Sequence, residues 1–246
     1  GQVLLEASDG ITAGADLAMT ASAATIWYTL DGSDPRTPGS PGSTGEELVL
    51  VPENAAKRVL VPTSDIGTAW RTENFDDSAW IAGTGGVGYE RSTGYEQFFN
   101  IDVQNQMYGR DTSCYIRIPF DITAEGLQYA GGLSLKARYD DGFVAYLNGV
   151  EVHRVLFSGT PAWNSEAAGN HSDIDAVNFE TFNLSSHIDR LHIGRNVLAI
   201  HGLNAGATSS DFLISVELVS SKGGGDVPAG ISPTAVRYSG TTALDA

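Results

Sequence analysis

Cysteine is nearly missing from this chain: Cys114 is the only one in 246 residues. No internal disulfide can form, and no zinc site can be built on paired thiolates. Lysine is almost as scarce, at Lys57, Lys136 and Lys222. Lys and Arg together number 14 against 30 Asp and Glu, a formal net charge of −16. That balance argues against nucleic acid and anionic membrane surfaces as partners, because their phosphates would be repelled. The longest apolar stretches run to about six residues, where a membrane-spanning helix needs about 20. No signal peptide is visible. The Gly-x-Ser-x-Gly elbow, the Walker-type loop and the His-Glu-x-x-His pair are all absent, so no catalytic residue is assigned. Helical periodicity is confined to two short candidate turns, 76–79 and 185–191.

Glycine is abundant instead, at 29 of 246 residues, about 12% against a usual ~7%. With many Thr, Ser, Asn and Asp, it points to frequent tight turns and an all-β protein. In residues 133–155, Leu133, Leu135, Ala137 and Tyr139 alternate with Ser134, Lys136 and Arg138, and Phe143 to Leu147 runs back. The chain turns at Asp140-Asp141-Gly142 and again at Asn148-Gly149, a dipeptide that tolerates the two positive φ angles of a tight hairpin. A three-stranded meander is expected there. Residues 113–120 place Cys114, Ile116, Ile118 and Phe120 on one face. Residues 178–184 form a further strand, and 196–203 with 211–219 are expected as a closing antiparallel pair.

Two long irregular stretches, 83–112 and 156–177, carry Tyr95, Phe98, Phe99, Tyr108 and Trp163. Loops beyond about 12–15 residues are uncommon in compact domains unless they serve a function or are disordered. A sugar presents C–H faces that stack on aromatic rings and hydroxyls that pair with short polar side chains. Trp163, Asn164 and His171 in the second stretch, and Tyr95, Tyr108 and Arg110 in the first, have that chemistry. They are the candidate carbohydrate-binding residues. Cys114 alternates with core positions and reads as a small buried hydrophobe. His201 reads as a packed, hydrogen-bonded histidine. Asp76-Asp77 reads as a cap, and Asp140-Asp141 as a turn whose carboxylates accept backbone N–H groups.

Residues from about 56 to 221 resemble the galactose-binding-like jelly-roll domains of secreted bacterial proteins. The resemblance is carried in order by Trp70, Phe75 to Trp80, Gly85 to Tyr89, Tyr115 to Arg117, Asp140 to Gly149, Trp163 to Ser165, Gly194 to His201 and Ser210 to Phe212. Ile26 to Arg36 (IWYTLDGSDPR) resembles the hallmark of chitobiase/hexosaminidase C-terminal-type domains, which are small immunoglobulin-like sandwiches. A strand of that type returns at Ile231 to Gly240. The expected fold is therefore all-β: an antiparallel jelly-roll sandwich over 46–222, inserted in a partial immunoglobulin-like module over 1–45 and 223–246, with two tandem domains and a C-terminal tail as the alternative arrangement. The insertion's junctions are expected at 37–45 and 222–230, and both ends of the chain look excised from something larger. The resemblance implies a noncatalytic carbohydrate-binding module holding a larger secreted or cell-surface protein on a polysaccharide. A structural or protein-interaction spacer is the alternative. The resemblance also implies a structural calcium ion, for which Asp173, Asp175 and Asp211 are the candidate ligands.

Overall fold

A computed structural model describes residues 47–128 and 130–222, together with two short strands at 26–28 and 236–238. The chain divides into two compact units, Gly1–Ser43 with Val227–Ala246, and Thr44–Asp226. In the first unit β1 (Ile26–Tyr28) pairs antiparallel with Val236–Tyr238, the last of the described strands. Trp27 and the expected junctions at 37–45 and 223–230 otherwise lie outside what is described.

The second unit is a sandwich of two six-stranded sheets. Its strands are β2 (Glu47–Val51), β3 (Lys57–Leu60), β4 (Ile81–Gly83), β5 (Val87–Glu90), β6 (Ile101–Asp102), β7 (Ser113–Ile122), β8 (Ala130–Asp140), β9 (Gly142–Leu147), β10 (Val150–Val155), β11 (Glu180–Asn183), β12 (Gly194–Leu203) and β13 (Asp211–Lys222). The first sheet runs β10-β9-β12-β7-β3-β4. The second runs β11-β8-β13-β5-β6, and β2 shares an edge of β13 with β5. Every pairing in the sandwich is antiparallel except β5 with β6. Three single-turn helices lie in the connections: α1 (Gln104–Met107), α2 (Ala124–Gln128) and α3 (Asp173–Ala176).

Period-two alternation builds the core. Ile116 and Ile118 of β7, Leu135 of β8, Ala145 of β9, Ile200 of β12 and Ile214 of β13 all point between the sheets. Cys114 sits among them, fully buried, and burial pushes its thiol above the ordinary range. Asn148 and Gly149 take φ of 50° and 89°, so the β9–β10 hairpin closes as the dipeptide implies.

Two expected pairings are replaced by crossings between the sheets. β8 belongs to the second sheet and β9 to the first, so residues 133–155 do not form a three-stranded meander. Asp140 and Asp141 are 2% and 4% exposed. Asp141 does not close a local turn: its N–H donates to the Leu203 carbonyl, and its carboxylate accepts from the His171 and Ala205 N–H groups at 2.9 and 2.7 Å. In the same way β12 lies between β9 and β7, while β13 lies between β8 and β5. Each strand is central in its own sheet, so neither has a free edge for the other. Of the two expected helical turns, Ser185–Arg190 is a 3-10 helix. Residues 76–79 make only a turn closed from Trp80 N–H to the Asp77 carbonyl.

The outer face of the first sheet carries a second cluster. Trp70 stacks on Tyr115 with ring centroids 4.0 Å apart, and Tyr146 and His201 meet Trp70 edge-on. Arg117, only 1% exposed on the same face, pins the covering segment. Its Nε donates to Asp77 at 2.6 Å, and its Nη atoms donate to the carbonyls of Trp70, Thr72 and Phe75. His201 is fully buried, and its Nε2 lies 2.5 Å from Ser113 Oγ. Burial, and secondarily Arg71, pushes its imidazole down to about 3.

Replacing Arg117 by Met strands Asp77 and three carbonyls. It is expected to cost about 3–5 kcal/mol, read as a lowered midpoint in urea. His201 stays neutral in the fold between pH 6.5 and 3, where the unfolded chain takes up the proton. Stability is therefore lost as pH falls through that range. Between pH 6.5 and 4.5 the wild type should lose more stability than His201→Gln, each referred to its own value at pH 7; equal slopes contradict the assignment.

Candidate functional site

The two aromatic connectors touch, Thr112 Oγ1 donating to the Ser165 carbonyl at 3.0 Å, but the structure does not bring their candidate rings together. Trp163 is half-buried against the Trp70–Tyr146 cluster on the first sheet, with Asn164 exposed beside it. The first connector splits. Tyr108 is half-buried near the β5 edge, with the Arg91 guanidinium 3.8 Å over its ring, and Arg110 is exposed just after α1. Tyr95 is placed on the second sheet, packed with Leu213 and Ala176.

Tyr95, expected as an exposed stacking ring, is 1% exposed and offers a sugar no face. Its hydroxyl donates to Asp140 Oδ2 at 2.5 Å. The cause is its position: Asp140 points outward from the end of β8, and a buried carboxyl there needs a donor. His171 is likewise a pin. Its ring stacks on Tyr139 at 4.2 Å, its Nδ1 lies 2.8 Å from the Tyr139 carbonyl, and its Nε2 meets Glu180 at 3.1 Å.

An acidic cluster forms where Tyr95 ends. One carboxylate oxygen each from Asp140, Asp173 and Asp211 lies within 4.8 Å of the others. Asp173 and Asp211 were expected as metal ligands. Asp140 was not, since its sequence context reads as a turn. Asp175 stays outside the cluster, exposed in α3. Burial, with Tyr95 opposing and Asp141 and Asp211 adding to it, pushes the Asp140 carboxyl up to about 8. Burial also raises Asp211, against hydrogen bonds from the Ser210 and Ser209 hydroxyls. Three hard oxygen donors drawn together suit a cation such as calcium, whose charge would offset the crowding of the carboxylates.

A groove of about 480 Å³ opens on the outer face of the second sheet. One bank is the turn Pro52, Glu53 and Asn54 after β2; the other is Gln97, Phe98 and Asn100; the sheet contributes Arg138 and Glu217. Gly85 and Gly86 close one end. The Gly86 carbonyl accepts the Asn100 and Ile101 N–H groups at 3.0 and 3.1 Å. A Cβ at Gly86 would run into the Phe98 carbonyl, so only glycine lets this bank lie so close.

Arg138 organises both banks. Its Nη1 donates to Glu53 Oε1 at 2.5 Å and its Nε to the Val177 carbonyl at 2.8 Å. Its Cζ lies 5.0 Å from the Phe98 ring centre and 3.8 Å from that of Phe179. Glu53 Oε1 also accepts from Ser215 Oγ at 2.6 Å. Below, Lys57 is 3% exposed and donates to the carbonyls of Glu53 and Gly85. Among the described residues, the side chains of Asn54, Gln97, Asn100 and Glu217 have no hydrogen-bond partner. Gln97, Phe98 and Asn100 belong to a sequence stretch whose chemistry already pointed to sugars. Glu53, Arg138 and Glu217 gave no signal: Glu53 lies in a short turn after β2, and strand alternation marks Arg138 and Glu217 only as outward-facing.

No family model matches the chain, and no curated protein matches it. Solved structures do resemble it. A Bacteroides uniformis β-glucuronidase is 15% identical over 72% of this chain and 18% of its own, with a TM-score of 0.45. A β-glycosidase from Bacteroides vulgatus is 15% identical over 72% of this chain and 20% of its own, at 0.38. A β-glucuronidase from an uncultured Clostridium sp. is 13% identical over 74% of this chain and 30% of its own, at 0.41. The chain thus spans only a fifth to a third of these larger enzymes, with a β-sandwich similar to one part of each.

Proposed function

We propose that the sandwich is a noncatalytic carbohydrate-binding module of a larger secreted or cell-surface protein. The groove carries this reading. It combines an aromatic ring, Phe98, with four polar side chains left without partners. A saccharide needs that pairing, one apolar face and several hydroxyls, and neither a packed interior nor a flat surface provides it. Arg138 fixes the ring beforehand, so little ordering entropy opposes binding. The pairing of β1 with Val236–Tyr238, on either side of the sandwich in sequence, supports its being an insertion in a second β module.

Calcium would be held by Asp140, Asp173 and Asp211 and would supply charge compensation to the corner on which Tyr95, α3 and β13 meet. Its role here is structural. The spacer alternative draws on Tyr95 and Trp163, two of the three rings expected to be exposed, which instead pack against the sandwich.

Retention on insoluble polysaccharides separates the two readings. The wild-type chain should be retained by at least one of cellulose, chitin, xylan and mannan. Phe98→Ala should weaken retention about tenfold, while Trp163→Ala leaves it unchanged. No retention on any of them, or loss with Trp163→Ala alone, overturns the groove assignment. Millimolar calcium should raise the melting temperature by several degrees, and Asp140→Asn should abolish the increment; a chain whose melting is indifferent to calcium has no such site.

A further inference from the structure

We infer that the groove takes an uncharged saccharide and that Glu217 determines this specificity, an inference that rests on the carbohydrate-binding reading above. Four ionisable groups border the groove or lie beneath it: Glu53 and Glu217 on one side of the balance, Arg138 and Lys57 on the other. A ligand entering there meets no net charge.

The cations, moreover, are committed to the protein. Arg138 donates through Nε to Val177 and through Nη1 to Glu53. Lys57 is sealed beneath and donates to two backbone carbonyls. Lys136 is paired in register with Glu217 on the neighbouring strand, where cross-strand partners of opposite charge ordinarily meet. It turns its ammonium instead to Glu47, 2.7 Å away. Among the described residues, no cation at the groove stands unpaired to receive a sugar carboxylate or sulfate.

What remains is a carboxylate with open lone pairs. A carboxylate only accepts hydrogen bonds, and it takes two neighbouring O–H groups well, one on each oxygen. The amides of Asn54, Gln97 and Asn100 both donate and accept, so they meet hydroxyls in either sense. A uronate would set its charge against Glu217 in a groove partly shielded from water, and a net −16 chain adds no compensating field. An ammonium-bearing sugar finds one free carboxylate, but with Arg138 and Lys57 close by. Adjacent hydroxyls of an uncharged pyranose ring, stacked by one face on Phe98, use every open group without adding charge.

Electrophoresis of the whole chain through gels containing soluble polymers tests this. The probes are laminarin, arabinoxylan and galactomannan as uncharged polymers, polygalacturonate as the anionic one and glycol chitosan as the cationic one. At least one uncharged polymer should retard the chain, while polygalacturonate and glycol chitosan leave it unretarded. Glu217→Ala should weaken that retardation about tenfold, and Glu217→Gln, which keeps one acceptor, should fall between. Both variants should melt with the wild type, since Glu217 holds no other described residue. Retardation by polygalacturonate or glycol chitosan in place of the uncharged polymers overturns the inference. So does an uncharged polymer that Phe98→Ala releases and Glu217→Ala does not; in that case the carbohydrate-binding reading survives. If no polymer retards the chain, both fail together.

Discussion

One guanidinium sets the shape of the second sheet's outer face. Arg138 projects from β8 where it cannot remain bare among aromatic rings, and it resolves this by reaching in three directions at once. It binds Glu53 on one bank, the Val177 carbonyl after α3, and the faces of Phe98 and Phe179. Arginine can do this because its planar fork offers separate donors along its edge and an apolar face above and below. The space between the banks is the consequence. It cannot fill by collapse of Phe98, whose face is held on the guanidinium, or by closure of the 52–54 turn, which Glu53 and Lys57 fix from above and below.

Two residues further along the same strand, Asp140 faces the opposite problem. It is a buried acid, and its neighbours are other acids. Tyr95 supplies one proton donor to it, and the backbone of the same segment continues into the groove's bank: the Phe98 N–H donates to the Tyr95 carbonyl at 2.8 Å. Tyr95, Phe98 and Phe99 also pack together with Ala176 and Val177 at the end of α3. The acidic corner and the groove are thus two ends of one short piece of structure. Events at the corner that change the charge on Asp140 act directly on the segment that presents the ring.

The sequence was most informative where the physics is local. Alternation identified the core faces of β7 and β8, and Asn148-Gly149 announced its hairpin, because side-chain period and positive φ are properties of a few neighbouring residues. Reading failed where partners are distant. Asp140-Asp141-Gly142 looks like any turn between adjacent strands. It is a crossing between sheets, because Leu203, His171 and Ala205 hold it from far away in the chain. Strands β12 and β13 look like a hairpin for the same reason, and only the jelly-roll resemblance carried the information that consecutive strands change sheets.

The site followed the same division. The aromatic connectors were singled out as too rich for linkers, yet which rings face water is decided by what lies beneath them. Tyr95 is drawn inward by Asp140, and Trp163 by the Trp70 cluster, leaving Phe98 as the ring presented to the groove. Glu217 and Arg138 could not be recognised, since an outward charge on a strand reads as surface until opposing loops rise on both sides of it. The most direct test of this account is a crystal structure of the chain with an uncharged oligosaccharide that it retains. The account predicts a pyranose ring lying on Phe98 with two hydroxyls on the Glu217 carboxylate; a sugar bound at Trp163 with the groove between 52–54 and 97–100 empty would contradict it.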